Sequence, residues 1–284
     1  MKDKVIITAA LSGAATFKQQ NPAIPYTPDE FAQEAARCFQ AGARVVHIHA
    51  RDEIGFATPD VAKVRAIYDA VKNAAPDILI NITSSAGNTA EERIAPIIAI
   101  KPDMASLNTN TMNFSIINRN TGQIAYDNVF TNTFTMLQDF GKAMEANRVK
   151  PEPEIYDLGG LDNWTLIQKQ GIFSAPFNFN FVWGVAGGQR FRPEVFVALV
   201  HALPPNSTFT TCGVGIDQFP AITMSCLMGG HMRVGLEDNI RVPTGELARG
   251  SYEQVEWAVR IAESLGREVA TPAEARQLLG VTKK

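Results

Sequence analysis

Apolar and polar positions follow one another along this chain with two different periods. Short runs rich in β-branched residues, such as residues 4–10 and 44–51, have the alternation or the continuous apolar character of strands. The segments between them repeat apolar residues every three or four positions, as amphipathic helices do. Two of these segments begin with a Thr-Pro pair, at residues 27–28 and 58–59, which is a typical helix start.

The pattern predicts strands over residues 4–10, 44–51, 77–85, 103–110, 151–159, 177–184, 207–215 and 231–237. It predicts helices over residues 27–42, 58–75, 89–100, 127–148, 161–171, 192–204, 218–229 and 252–266, and a last short helix that begins at residue 271. Strands that alternate with helices form a parallel sheet, and eight such units in a chain of this size fit a closed (β/α)8 (TIM) barrel. We therefore predict an α/β fold with one barrel domain over residues 1–284 and a short C-terminal helical extension. A doubly wound open sheet is the alternative, but no strand–GxGxxG–helix unit lies near the N-terminus.

Composition narrows the classes of function. The chain has 284 residues, of which 45% are hydrophobic and 19% charged, so it can bury a sizeable core. A net charge of −3 provides no basic field for nucleic acid or for an anionic membrane. The three cysteines show no paired spacing, which favours free thiols in a reducing compartment. Without a signal-peptide pattern or an apolar run of about 18 residues, we expect a cytoplasmic protein.

Polar residues cluster at the carboxyl ends of the predicted strands, which is where barrel enzymes have their active sites. Strand by strand, they are His47, His49, Arg51 and Asp52; Asn81, Thr83, Ser84 and Ser85; Asn108, Thr109 and Asn110; Glu154 and Asp157; Asn178 and Asn180; and Arg233, Glu237 and Asp238. The opposite strand ends carry mainly the Lys, Pro and Asp of ordinary turns. This asymmetry favours an enzyme.

His47 and His49 are the most informative of these residues. Side chains alternate along a strand, so both imidazoles project from one face and Ile48 from the other. A single strand histidine is more often a packing residue, but two on one face at a strand's carboxyl end indicate a metal site. Zinc takes imidazole and carboxylate ligands, and its catalytic sites use three protein ligands. Glu237 follows the eighth predicted strand, two strands from the second in a closed barrel, and would complete the set; its other interpretation is a solvated turn.

The remaining motifs are weaker. The pair Gly187–Gly188 after the sixth predicted strand fits either a plain turn or a loop whose backbone N–H groups meet an anionic ligand, and we place both residues in the predicted cofactor site. His201 lies in a helical pattern, and His231 lies at the wrong end of its strand for the site.

Several stretches match a known family, among them "IITAALSGA", "HIHARD", "KPDMASLNT", "GVAGG" and "GGHMRVGLEDN". On these residues the chain resembles the β-keto acid cleavage enzymes over essentially its whole length, and "HIHARD" with "RVGLEDN" at this separation is highly specific. The resemblance implies a zinc-containing barrel that reacts a β-keto acid with acetyl-CoA, giving acetoacetate and the CoA thioester of the remaining acyl chain. It also implies a homo-oligomer, a tetramer in this family.

The resemblance implies roles for five residues at the centre of the site. His47, His49 and Glu237 would hold the Zn²⁺, which polarises the substrate ketone as a Lewis acid. Asp238 would act as the general base that removes a proton from the methyl group of acetyl-CoA. Arg233 would pair with Asp238 and stabilise developing negative charge.

It also implies a substrate and CoA-transfer site. Ser84 matches the family's serine after the third strand and would assist transfer of CoA within the adduct. Thr109 resembles the family's substrate-contacting threonine, and we place its neighbour Asn108 in the same site.

Two departures from the family pattern bear on function. Members that act on amino-bearing substrates read like "APTGAE" after the first strand, with a glutamate for the ammonium, whereas this chain has Ala15. A buried ammonium without a carboxylate is costly, so we expect a substrate without an amino group. The second departure is "TSSAG" at 83–87, which leaves the family's hydroxyl open among Thr83, Ser84 and Ser85, and we place all three in the site.

Two other enzyme classes use similar residues. A metal-dependent hydrolase on a TIM barrel would use the same ligands to activate water, and a class II aldolase-like lyase is a further alternative. Neither needs acetyl-CoA, so CoA dependence separates them from the cleavage enzyme. A metal-sensing or structural barrel would leave Arg233 and Asp238 without a purpose.

Overall fold

The computed structural model describes residues 4–118 and 121–282. In this part of the chain the strands are β1 (Lys4–Val5), β2 (Ile7–Ala10), β3 (Val45–Ile48), β4 (Leu79–Ile82), β5 (Met104–Asn108), β6 (Met112–Ile117), β7 (Ile124–Phe130), β8 (Lys150–Ile155), β9 (Phe177–Trp183), β10 (Ser207–Gly213), β11 (His231–Val234) and β12 (Glu268–Val269). The helices are α1 (Pro28–Ala41), α2 (Val61–Ala74), α3 (Ala90–Ile100), α4 (Phe134–Ala146), α5 (Leu158–Gln168), α6 (Pro193–Ala202), α7 (Gln218–Leu227), α8 (Ser251–Ser264) and α9 (Pro272–Leu279).

The central sheet is a closed parallel barrel. Its order is β10-β11-β2-β3-β4-β5-β8-β9, so each barrel strand lies beside the next one along the chain. Parallel neighbours need a crossover between them, and a helix follows each barrel strand in the sequence. The predicted (β/α)8 barrel is confirmed. The predicted domain also takes in residues 1–3, 119–120 and 283–284, which lie outside the described part.

Local sequence explains where several helices begin. Thr27 and Thr89 each cap a helix and form a capping box with a glutamate three residues on, as the sequence indicated for Thr89. The predicted start of α2 at Thr58 is wrong by a few residues. Asp60 is the N-cap, and its Oδ1 accepts from Lys63 N at 3.0 Å, while the Thr58 hydroxyl accepts from Asp60 N.

The helix predicted over 127–148 begins too early. Residues 112–117 and 124–130 instead form the antiparallel hairpin β6–β7, which stands apart from the barrel sheet. The helix begins at Phe134, where Thr133 accepts a hydrogen bond from Met136 N at 3.3 Å. The segment before Thr133 is rich in β-branched and aromatic residues, and its cross-strand pairing outweighs helix propensity.

Two layers of apolar residues hold the barrel. The outward-facing strand residues, such as Ile48 and Ile80, pack under the helices in the main core. Inside the amino-terminal end of the barrel, Val45, Leu79 and Met104 pack against Leu279 of α9, so the predicted C-terminal helix closes that end. The interior towards the carboxyl end is polar instead, and this places the site there.

The described residues include no helix that is long and apolar enough to cross a membrane.

Candidate active site

His47 and His49 lie side by side at the carboxyl end of the barrel. His47 belongs to β3, where it pairs in register with Ala10 and Asn81, and His49 follows the strand directly. The two imidazole centroids are 5.1 Å apart, and both residues are buried. Strand alternation therefore brings the two rings to one face of the strand.

Glu237 reaches these histidines from the loop after β11. Its Oε1 lies 3.7 Å from His47 Nε2 and 3.4 Å from His49 Nε2. One potential ligand atom from each of the three residues lies within 4.8 Å of the others. Gly13, in the loop after β2, allows this approach, because a Cβ there would stand 2.5 Å from Glu237 Cγ. The end of β3 and the loop after β11, which are far apart in sequence, thus form one cluster.

The donor atoms of this cluster fit a zinc ion. His47 Nδ1, His49 Nδ1 and Glu237 Oε2 are buried and have no hydrogen-bond partner among the described residues. Burial lowers the pKa of His47 to about 3, so its imidazole is a neutral donor near pH 7. Burial would raise the pKa of the Glu237 carboxyl, but His49, Arg233 and His47 hold that pKa well below its usual range. Two imidazoles and a carboxylate form a ligand set of catalytic zinc sites.

Arg233 and Asp238 form a buried ion pair next to this cluster. Arg233 Nε donates to Asp238 Oδ2 at 2.9 Å and Arg233 Nη2 to Asp238 Oδ1 at 3.0 Å, a bidentate arrangement. Nη2 also donates to Glu237 Oε1 at 2.6 Å. Burial raises the pKa of Asp238 to about 6, with Arg233 acting in the opposite direction, so the carboxylate is ionised near pH 7. The guanidinium thus connects Asp238 to the candidate metal ligand.

Two further carboxyl groups lie inside the barrel: Glu154, predicted only as one of the polar residues at the strand ends, and Glu152, which the sequence pattern did not single out. Glu154 Oε1 lies 3.4 Å from Arg233 Nη1, and Glu152 Oε2 accepts from Asn81 Nδ2 at 2.7 Å. Burial raises the pKa of each of these carboxyls to about 7, against the attraction of Arg233. The signal was present in "PEPEI", where the two glutamates share one face of a strand.

The hydroxyl residues after β4 divide into two environments. Thr83 N donates to Ile48 O at 3.2 Å, so the ladder of the sheet continues through Thr83. Asn81, two residues earlier, points into the barrel, because it bonds Glu152. Thr83 Oγ1 and Ser85 Oγ are 2.7 Å apart. The Ser84 hydroxyl is buried without a partner in the described part of the chain. Alternation therefore aligns Thr83, and not Ser84, with the interior face.

The predicted substrate residues after β5 also differ from each other. Thr109 Oγ1 donates to Glu154 O at 3.0 Å and stands against Gly160 of α5, so its hydroxyl is used in packing. Asn108 Oδ1 accepts from Tyr156 OH at 3.0 Å, while Asn108 Nδ2 is buried and has no partner among the described residues. Asn108 thus keeps a donor for a ligand.

Gly187 and Gly188 lie in the loop after β9. At Gly187 (φ +105) an added Cβ would stand 1.8 Å from Asn113 O, and Ser115 N donates to Ala186 O at 3.1 Å. Gly188 N donates to Val185 O at 3.0 Å within the loop itself. The close approach of β6 therefore explains the glycine at 187, and a role for the pair in binding a cofactor stays a prediction.

The remaining residues that the sequence singled out lie outside the metal cluster. His231 Nδ1 accepts from Ile6 N at 3.2 Å, at the amino-terminal end of the barrel. His201 is exposed on α6. Cys38, Cys212 and Cys226 are buried free thiols. Ala15 is exposed on the loop after β2, two residues from Gly13 and the Glu237 side chain.

The fold and the site together define a (β/α)8-barrel enzyme with a candidate three-residue metal centre beside a buried arginine–aspartate pair. The model of the beta-keto acid cleavage enzyme family matches residues 4–281, and the chain belongs to this family. The enzyme class predicted from the sequence is thereby confirmed.

Relatives within the family differ in their substrates. The chain is 41% identical over 283 residues to the 3-keto-5-aminohexanoate cleavage enzyme of Acetoanaerobium sticklandii, covering 99% of this chain and 100% of the relative. It is 32% identical over 286 residues to the 3-oxoadipate:acetyl-CoA acetyltransferase of Cupriavidus necator, covering 99% and 96%. The solved apo structure of ObcA superposes with a TM-score of 0.75 at 22% identity, covering 92% of this chain and 66% of that one, and supports the barrel fold.

Proposed function

We propose that this chain reacts a β-keto acid with acetyl-CoA at a zinc site and releases acetoacetate and an acyl-CoA. The observation that carries the proposal is the buried His47–His49–Glu237 cluster in contact with the Arg233–Asp238 pair. Membership of the family supports the cleavage reaction. The name of the relative from Cupriavidus necator supports acetyl-CoA as the co-substrate.

His47, His49 and Glu237 would hold the metal through their neutral imidazoles and carboxylate. Bound Zn²⁺ supplies Lewis-acid polarisation of a substrate carbonyl. Arg233 keeps the Glu237 carboxylate in place, because Nη2 donates to Glu237 Oε1. The positive charge of Arg233 lies beside the Glu237 carboxylate and balances its buried negative charge.

Asp238 is the group placed to accept a proton. Both of its oxygens accept from Arg233, which fixes the carboxylate plane. It would remove a proton from the carbon between the ketone and the carboxylate of the β-keto acid, and the resulting carbanion adds to the thioester carbonyl of acetyl-CoA. The proton abstraction from the acetyl-CoA methyl group that the resemblance implied does not lead to these products, because it forms no bond between the acetyl carbonyl and the carboxymethyl group. A carboxylate whose pKa is raised by burial to about 6 is a stronger base than a solvated one.

The reaction is completed by transfer of CoA within this adduct and a retro-Claisen break. In balance, the acetyl–sulfur bond and the bond between the acyl carbonyl and the carboxymethyl group break, while a bond between the acetyl carbonyl and the carboxymethyl group and a new thioester to CoA form. The proton held by Asp238 would return to the carboxymethyl carbon. The carboxymethyl group leaves in acetoacetate together with the acetyl group. A hydroxyl after β4 would assist the CoA transfer, and the continued ladder supports Thr83 ahead of Ser84, with Ser85 as its hydrogen-bond partner.

We also propose that the acyl chain of the substrate is uncharged or anionic. Ala15 stands where family members with amino substrates have a glutamate, and an alanine offers an ammonium group no counter-charge. Asn108 Nδ2, which is buried without a partner in the described residues, would donate to a substrate oxygen.

The experiment is a panel of β-keto acids with neutral, carboxylate-bearing and amino-bearing acyl chains. Acetoacetate formation is followed with and without acetyl-CoA, and zinc is measured in the same preparation. We expect no turnover without acetyl-CoA and the lowest kcat/KM for the amino-bearing acid. A strong preference for the amine would refute the substrate class.

The same panel separates the alternatives. A hydrolase or a class II aldolase-like lyase would consume the β-keto acid without acetyl-CoA, and the released products would contain no acyl-CoA.

We further propose that the chain forms one barrel domain and assembles as a homotetramer. Light scattering on the purified protein measures this oligomeric state directly.

A further inference from the structure

Arg51 is a buried arginine just beyond the metal cluster, and the reaction outlined above gives it no task. Only 3% of the residue is exposed. Its guanidinium donates to three backbone carbonyls: Thr16 O at 2.8 Å, Gly55 O at 2.5 Å and Ser12 O. Burying a charge against neutral acceptors is costly. An arginine guanidinium presents several N–H donors in one fixed plane, whereas a lysine ammonium does not.

These carbonyls belong to two loops at the mouth of the barrel. Ser12 and Thr16 bracket the loop after β2, and Gly55 lies in the loop after β3. The rings of Phe17 and Tyr26 flank the guanidinium at 5.6 and 5.5 Å from Cζ to the ring centroids. Arg51 therefore joins the two loops at one point.

The segment of residues 12–16, called the β2 loop below, touches the metal cluster directly. Ser12 Oγ donates to His49 O at 2.8 Å, and Thr16 Oγ1 donates to Ser12 O at 2.8 Å. Gly13 faces Glu237 so closely that an added Cβ would stand 2.5 Å from Cγ. Between these anchors, Ala14 and Ala15 are exposed at the mouth. The conformation of this loop therefore fixes the position of Ala15 at the mouth of the barrel.

We infer that Arg51 is a positioning residue that holds the β2 loop in one conformation against Glu237 and so sets the selectivity for the acyl chain. The inference deepens the proposed function and rests on it for the identity of the substrate. A guanidinium that anchors both ends of a five-residue loop restricts the positions that Ala15 can take relative to Glu237.

The test compares Arg51→Lys with a matched control, Arg44→Lys. Arg44 precedes β3 at the opposite end of the barrel and also donates to backbone carbonyls, those of Ala270 at 2.6 Å and Ala43 at 2.8 Å. Both changes keep a positive charge and remove the hydrogen bonds from a guanidinium to backbone carbonyls. Any general loss of stability should therefore appear in both variants.

The first measurement is the ratio of kcat/KM for a neutral straight-chain β-keto acid to that for an amino-bearing one, at saturating acetyl-CoA. We expect Arg51→Lys to lower kcat/KM for the neutral acid by about tenfold, mainly through KM, and to narrow the ratio by about threefold or more. Arg44→Lys should leave the ratio unchanged. If both variants change this kcat/KM ratio equally, the inference is overturned.

The second measurement needs no turnover. Hydrogen exchange of the backbone amides of residues 12–17 should quicken by about tenfold in Arg51→Lys and stay as in the parent chain in Arg44→Lys. Unchanged exchange in Arg51→Lys overturns the positioning role, and faster exchange with an unchanged ratio overturns the role in selectivity. If the parent chain lacks acetyl-CoA-dependent cleavage, the proposed function fails while the exchange experiment still decides the positioning role.

A milder variant covers the case in which Arg51→Lys does not fold. Thr16→Val removes the hydrogen bond from Thr16 Oγ1 to Ser12 O and leaves the guanidinium in place. It should shift both measurements in the same direction by a smaller amount. No shift in either measurement would contradict the inference.

Discussion

Gly13→Ala perturbs the candidate metal centre without changing any of its ligands. Gly13 has φ +62, a conformation in which an alanine costs about 1 kcal/mol. Gly171 has φ +69 and nothing within 4 Å of an added Cβ, so Gly171→Ala has the same backbone cost and no steric one. The difference between the two variants therefore isolates the contact with Glu237.

The size of that contact follows from the structure. The added carbon would stand 2.5 Å from Glu237 Cγ, whereas ordinary van der Waals contact begins at 3.4 Å. The Glu237 side chain must move by about 0.9 Å, well beyond the ~0.2 Å tolerance of zinc–ligand distances. We expect zinc to bind Gly13→Ala at least about tenfold more weakly, a loss of about 1.4 kcal/mol.

The assay is a competition titration of the metal-free protein with zinc and a chromogenic chelator, together with a thermal melt without metal. Gly171→Ala should melt about 2 °C below the parent chain and bind zinc as the parent chain does, and Gly13→Ala should melt at least as far below because of its contact with Glu237. Zinc affinity in Gly13→Ala equal to that of Gly171→Ala would refute the assignment of Glu237 as a ligand held by this contact.

Three further predictions concern single side chains. Asp238→Asn keeps the shape of the group but removes the base, so kcat should fall by about a thousandfold with the zinc content unchanged; loss of zinc would make Asp238 a ligand. His49→Ala should lose zinc and activity together, and full metal occupancy in this variant would contradict the ligand set. Asp103 accepts from Lys72 Nζ at 2.9 Å, Arg276 Nη1 at 3.0 Å and Ile80 N at 3.0 Å, so urea titration should find Asp103→Asn less stable by about 2 kcal/mol. Burial raises the pKa of Asp103, but Lys72 and Arg276 outweigh it and hold this pKa below its usual value. The difference in stability between the parent chain and Asp103→Asn should therefore be full above about pH 4 and vanish as the pH falls through the folded-state pKa. A stability difference that persists in acid would contradict this prediction.

The barrel could be predicted because its pattern is local and repeated. Each βα unit carries its own periodicity, and capping residues such as Thr27 and Thr89 mark the helix starts within a few residues. The hairpin β6–β7 was missed for the opposite reason. Its β-branched and aromatic residues are compatible with a strand, but a strand forms only where a partner strand pairs with it, as Phe114 does with Asn128, and no local period indicates that partner.

The candidate metal ligands illustrate the same division. The spacing of His47 and His49 predicts two imidazoles on one face, because alternation is a property of any strand. The contribution of Glu237 depends on barrel closure, which brings the loop after β11 to within 3.4 Å of His49. The order of strands in a closed barrel made the approach of Glu237 predictable. The close fit of Gly13 against Glu237 could not be predicted in this way.

The sequence by itself determined the fold class, the end of the barrel that carries the chemistry and the two histidines, since all three follow from periodicities of a few residues. Only the tertiary structure decided how the acidic groups share one guanidinium. Glu237 and Asp238 lie in the loop that follows β11, the strand of Arg233, whereas Glu154 comes from β8, and barrel closure brings it to the same guanidinium. It also decided which hydroxyl after β4 faces inward, and it gave Arg51 its place between two loops. These features depend on distances between segments that no local pattern encodes, because they exist only once the barrel has closed.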